Sequence, residues 1–282
     1  MHFNVSALGA QSLWCLSFLQ VTSLIMLNMQ FFNETAPGPA LLIAHGLYGS
    51  GRNWRVIAKR LSDERMVVTV DMRNHGISAW NDSHTYFDQA ADLSEVVRHL
   101  GRPVDVLGHS MGGKSAMTLA LTEPDNVNRL ISADIAPVTY THSQLQYIEA
   151  MRAVDLTTVN RRSDAEAQLG ALGVDPALQS FFTQSLDVKA KSWCLNLDGL
   201  ANNMSHIMSF PDLDTAYSGP VLFLSGGDSD YVRSQDRSHI RTLFPNAHFA
   251  KIPGAGHWLH AEKPREFEAT IRTFLRSSSP HP

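Results

Sequence analysis

A serine, a histidine and a carboxylate, far apart along this chain, can together make a hydroxyl nucleophilic. Ser110 sits in Gly108-His109-Ser110-Met111-Gly112, a G-x-S-x-G pattern. Serine is a poor nucleophile at neutral pH, so it needs a neighbouring imidazole to take its proton. That imidazole needs a buried carboxylate to fix its tautomer and stabilise its cation. His257 lies in Pro253-Gly254-Ala255-Gly256-His257-Trp258, where two glycines free a loop to swing a ring back. Two acids compete for the third role. Asp134 opens Asp134-Ile135-Ala136-Pro137, and Asp230 lies within Gly227-Asp228-Ser229-Asp230-Tyr231-Val232. Spacing alone leans to Asp230. The negative charge developing on an attacked carbonyl also needs donors already aimed at it, and losing one costs roughly 3–4 kcal/mol of barrier. The backbone N–H groups of Met111, after the serine, and Leu47, after the pair His45-Gly46, are placed to serve.

Such an arrangement needs a scaffold that brings several strand ends to one edge, and the chain alternates accordingly. Val104–Leu107 is a strand run leading into the turn at Ser110, and Lys114–Leu121 has helical composition. Strand, sharp turn and helix are the context a nucleophile elbow requires, with glycines on both flanks because a Cβ would clash across so tight a turn. Ala40–Ala44, Met66–Val70 and Leu130–Ala133 are short apolar runs of the kind buried on both faces of a parallel sheet; Leu27–Phe32, Val221–Leu224 and Ala247–Ile252 complete the strands. Helical spacing marks Asn53–Leu61, Thr85–Leu100 and Pro264–Arg276, with Phe87, Ala90, Leu93, Val97 and Leu100 on one stripe of the second and Gly101 as its stop. From 138 to 217 the alternation gives way to polar-helical sequence without a clear strand. The pattern predicts an α/β protein with a mostly parallel, doubly wound sheet, whose carboxyl edge gathers the ligand-binding groups. The core is expected from 26–137 and 218–282, with a helical insertion over 138–217.

The remaining polar residues near strand ends have plainer readings. His109 is the variable position of the elbow, His45 braces the loop after its strand, and His260 packs near the last helix. Asp71 should be separated from Ser110 by an intervening strand and is read as structural. Phe181, Phe182, Trp193, Met204, Met208 and Phe210 either line an acyl pocket or form the insertion's own small core, the second being expected for most of them. No His pair at i, i+4 with an acidic third ligand suggests a metal, and no cofactor is expected.

With 282 residues the chain suits one large domain with an insertion. A net charge of −4 and no basic run argue against nucleic acid as a partner. Two cysteines, Cys15 and Cys194, form no disulfide framework, which fits a reducing, cytoplasmic setting. Leu8–Leu27 is moderately apolar but interrupted by polar residues and preceded by no basic one, too polar to span a bilayer comfortably. Residues 1–25 are read as an extension outside the fold, a weak signal or membrane-associated segment being the alternative.

His45–Ser50, Asp71–Gly76, Gly108–Lys114, Asp134–Val138 and Gly254–Pro264 occur in an order that resembles the α/β-hydrolase superfamily from about residue 38 onward, and more narrowly the YbfF-type esterases of bacteria. The resemblance implies an α/β-hydrolase fold with a helical cap after strand 6, and hydrolysis of short to medium acyl esters or thioesters through an acyl-enzyme on Ser110. It also shifts the acid to Asp134, because such relatives take it from the loop after the sixth strand; this chain departs from them in keeping a carboxylate at Asp230. Small-molecule acyl esters are the expected partners. Cofactor-free haloperoxidase or carbon–carbon bond hydrolase chemistry on the same scaffold, and a non-catalytic ligand receptor, are the alternatives. Oligomeric state is not legible.

Overall fold

The computed structural model describes residues 27–277, so the reading of 1–25 as an extension lies outside the described residues. Among the described residues seven strands form one sheet: β1 (Met29–Phe32), β2 (Leu41–Ala44), β3 (Val67–Val70), β4 (Val104–His109), β5 (Val127–Ala133), then β8 (Val221–Gly226) and β9 (Ala247–Ile252). Their spatial order is β1-β3-β2-β4-β5-β8-β9, parallel throughout except for β1, which pairs antiparallel with β3. Helices α1 (Arg55–Leu61), α2 (Tyr86–Leu100) and α3 (Met111–Thr122) connect the first strands, and α9 (Arg237–Leu243), α10 (Leu259–Glu262) and α11 (Pro264–Arg276) complete the chain. β2, β3, β4 and β8 are buried along their whole length, as strands covered on both faces must be.

Between β5 and β8 lie α4 (Leu145–Ala153), α5 (Arg162–Ala171), α6 (Pro176–Thr183), α7 (Leu197–Asn202) and α8 (Met204–Met208). The stretch is not wholly helical: β6 (Leu186–Asp187) and β7 (Ser192–Trp193) form a two-residue antiparallel hairpin. The strand before it is the fifth of the described residues, where the resemblance counted six.

The apolar stripe of α2 faces the core at Ala90, Leu93, Val97 and Leu100 as expected, and departs only at its first residue. Phe87 is half exposed, and Tyr86 takes the inward position, its hydroxyl donating to the Ile207 carbonyl. A phenol needs an acceptor when buried, and α8 supplies one. The ends of α2 follow sequence closely. Thr85 and Asp88 cap its first turn reciprocally, and Gly101 closes it in the left-handed conformation at φ 68°. Among the described residues no helix is long and apolar enough to cross a membrane.

Candidate active site

The turn between β4 and α3 places Ser110 at φ 52° and ψ −120°, strained backbone for a residue with a side chain. Its N–H donates to the Ala133 carbonyl of β5, and its own carbonyl accepts from Gly113 and Lys114. The flanking glycines are sterically required. A Cβ on Gly108 would lie 2.2 Å from the Gly112 carbonyl oxygen, and one on Gly112 would lie 2.4 Å from that of Ala44. Ser110 therefore stands at the sheet edge, at the head of a helix whose first N–H groups have no partner within it.

Asp134 follows β5 directly and, like Ser110, has a positive φ of 52°. It is fully buried. Its Oδ1 accepts from the Gly226 N–H at 3.0 Å, and its Oδ2 from the Ser229 hydroxyl and from His257 Nδ1, the last at 2.8 Å. Nε2 of the same imidazole lies 3.1 Å from Ser110 Oγ. The fold thus brings Ser110, His257 and Asp134 into one hydrogen-bonded run. Asp230, the acid that spacing favoured, is exposed, and the neighbouring Ser229 points to Asp134 instead. The carboxyl ends of β5 and β8 are adjacent in the sheet, so a loop on either could have reached the ring; the order of strands alone does not separate them.

Two contacts that sequence did not indicate hold His257. The His109 ring donates from Nε2 to the His257 carbonyl at 2.9 Å. Tyr231 stacks on the imidazole with ring centres 4.1 Å apart, its carbonyl held by the Tyr140 hydroxyl. His109 is therefore more than a variable elbow position. His260 packs where expected, stacked on Trp54 and edge-on to Phe267 of α11.

The loop after β2 carries Leu47, which lines the cavity with Met111. Two neutral histidines brace it. His45 donates from Nδ1 to the Gly46 carbonyl and accepts the Met72 N–H at Nε2, while His75 donates from Nδ1 to the Arg73 carbonyl and accepts the Tyr48 N–H at Nε2. Tyr48 needs that support, because it sits at φ 64°. Burial, which disfavours the imidazolium, lowers the pKa of His45 to about 4 and, together with the neighbouring His45, that of His75 to about 3. Asp71 has the structural place expected for it, accepting from the Gly51 and Ile77 amides and the Asn28 side chain.

A cavity of about 300 Å³ opens beside Ser110. Of the six apolar residues considered for its wall, Phe181, Phe182 and Met208 line it, whereas Trp193 and Met204 are buried elsewhere and Phe210 borders a separate cleft. Lys114, one helical turn after Ser110, is also in the wall and only 1% exposed. Burial brings its pKa down to about 7. The i, i+4 spacing from the serine was the signal that would have found it.

A serine on a strand–helix elbow, an imidazole and a buried acid at the carboxyl edge of a parallel sheet define a class, and comparison with known proteins agrees. The α/β hydrolase fold family matches residues 39–264, and the chain belongs to that family. Within it, the chain is 40% identical over 260 residues to the sn-1-specific diacylglycerol lipase ABHD11 of Mus musculus, covering 88% of this chain and 85% of that protein. It is 34% identical over 250 residues to Esterase YbfF of Escherichia coli, covering 86% and 95%. Among solved structures, a marine microorganism esterase superposes with a TM-score of 0.84 at 37% identity, over 88% of this chain and 99% of the other.

Proposed function

We propose that Ser110, His257 and Asp134 act as the catalytic triad of this ester-bond hydrolase, with the Leu47 and Met111 amides as its oxyanion hole. The observation that carries the reading is the continuous run of hydrogen bonds from the Ser110 hydroxyl through His257 to a buried carboxylate. His257 takes the Ser110 proton as the oxygen attacks the acyl carbonyl, and Asp134 stabilises the imidazolium that results. The two N–H groups receive the charge on the carbonyl oxygen. Collapse of the tetrahedral intermediate breaks the bond to the leaving alcohol or thiol, which takes the proton from His257. Water, deprotonated by the same ring, then releases the acid and frees Ser110.

Residues 138–217 read as a cap over a core of 26–137 and 218–282, supported by Phe181, Phe182 and Met208 standing in the cavity wall. That largely apolar wall accords with short to medium acyl groups on small-molecule oxygen esters or thioesters. Cys194 is a free thiol, in keeping with a reducing, cytoplasmic compartment.

Ser110→Ala should abolish hydrolysis of p-nitrophenyl butyrate and labelling by a fluorophosphonate probe while leaving the thermal transition in place. A folded variant that keeps its activity would exclude Ser110 as the nucleophile. A wild-type protein that takes no label would point to a ligand receptor instead.

A further inference from the structure

Ester hydrolysis as described above makes no use of Lys114, yet this lysine is almost fully buried in the cavity wall. Its Nζ donates to the carbonyls of Met208 at 3.1 Å and Ser209 at 2.5 Å, at the end of α8. It also lies 4.7 Å from the ring centre of Tyr140 and 5.6 Å from that of Tyr86. An ammonium has three protons to donate, and the two carbonyls accept two of them. Among the described residues no acidic group offsets its burial. A buried cation without an anion is expensive, and a methionine of similar length would fill the same space without that expense. An anion would offset that cost, and Lys114 lines the cavity in which a substrate would bring one.

Position sets what that anion belongs to. Residues i and i+4 of a helix lie on one face with Cβ atoms about 5–6 Å apart, and helical side chains lean toward the N-terminus. The Lys114 stem therefore runs along the wall that Ser110 heads, and an acyl group attached to Ser110 extends along it. We propose that Lys114 is a specificity-determining residue that receives a carboxylate at the far end of the acyl group, so that the enzyme prefers half-esters or half-thioesters of short dicarboxylic acids. Acids of roughly four to six carbons suit a separation of one helical turn. The proposal rests on Ser110 being the nucleophile, and the two can fail separately.

The groups facing the ammonium leave it as the one that changes charge near neutrality. Burial pushes the phenols of Tyr86, on α2, and Tyr140, after β5, upward, so both stay neutral. Burial, with the charges of His257 and Lys114, holds His142 below its ordinary value. From α8 and the residue after it come only the two carbonyls. Lys114, lowered to about 7, is charged below that pH and loses its charge as pH rises through it.

The test compares the mono-p-nitrophenyl ester of glutaric acid with p-nitrophenyl hexanoate, a neutral acyl group of similar length, as a ratio of kcat/KM. The ratio cancels effects common to both esters. Wild type should favour the glutarate ester by about tenfold near pH 6, the worth of one charge-assisted hydrogen bond. That preference should fall toward unity by about pH 8.5. Lys114→Met should abolish the preference at every pH, and Lys114→Arg should restore part of it at high pH. A wild-type ratio at or below unity near pH 6, or one independent of pH, overturns the proposal whether or not the variants fold. If Ser110→Ala still hydrolyses both esters, it is the triad that fails. If Ser110→Ala is inactive and the wild-type ratio is flat, only the role of Lys114 fails.

Discussion

Ser110 Oγ lies 3.1 Å from His257 Nε2, carried on a strained turn whose backbone fixes where the side chain leaves the sheet edge. The same economy governs Asp134, whose two oxygens are taken up by a backbone amide, a serine hydroxyl and the imidazole. A carboxylate so fixed cannot be replaced by its amide without forcing the ring into the wrong tautomer. Asp134→Asn should lower kcat for p-nitrophenyl butyrate by roughly three to four orders of magnitude. Asp230→Asn, altering an exposed side chain, should stay within a few-fold of wild type. Equal losses in the two variants would return the acid to the open choice that spacing left.

At the scale of elements, the elbow depends on how closely β4, α3 and the loop after β2 approach. The two glycines of the turn are needed for that approach and not for a left-handed backbone. Gly112→Ala would push a methyl against the carbonyls of Ala44 and His45, 2.4 and 2.5 Å from its Cβ. Backbone cannot yield as a side chain does, so the substitution should cost more than about 3 kcal/mol in urea unfolding. Gly101→Ala makes a useful contrast. That residue has a positive φ but open space around it, so only the left-handed strain applies and the loss should be near 1 kcal/mol. Similar losses at the two positions would mean that the elbow is looser than its geometry implies.

Across the whole molecule, burial of neutral histidines ties stability to pH. His45 and His260 are lowered to about 4 and about 3, chiefly by burial, and His75 to about 3 for the same reason. In the unfolded chain each titrates near 6.5. Because the folded values are depressed, their contribution is complete above about pH 6.5. It is lost as pH falls toward about 4, where the unfolded chain binds protons that the folded one refuses. The thermal transition should therefore be nearly level from pH 8 to 7 and fall progressively below 6.5. A midpoint unchanged down to pH 5 would show that these rings are solvated.

Much of this protein was written locally. The elbow was legible because its glycines, apolar strand and following helix are contiguous, so short-range sterics suffice to specify it. The limits of β9 and α11 were legible too, those of the helix because Phe267, Ile271 and Leu275 recur at helical spacing. The first residue of the α2 stripe was misjudged because a tyrosine and a phenylalanine are equally apolar in a pattern, and the carbonyl of Ile207 is what receives Tyr86. The place of the acid, the stacking of Tyr231 on His257 and the burial of Lys114 beneath α8 each join segments tens of residues apart. Such meetings depend on strand order and on how the segment after β5 folds back, which no window of sequence contains. Residue types and their spacing determined the chemistry available; the packing of distant segments decided which carboxylate meets the imidazole and which lysine is left without an anion.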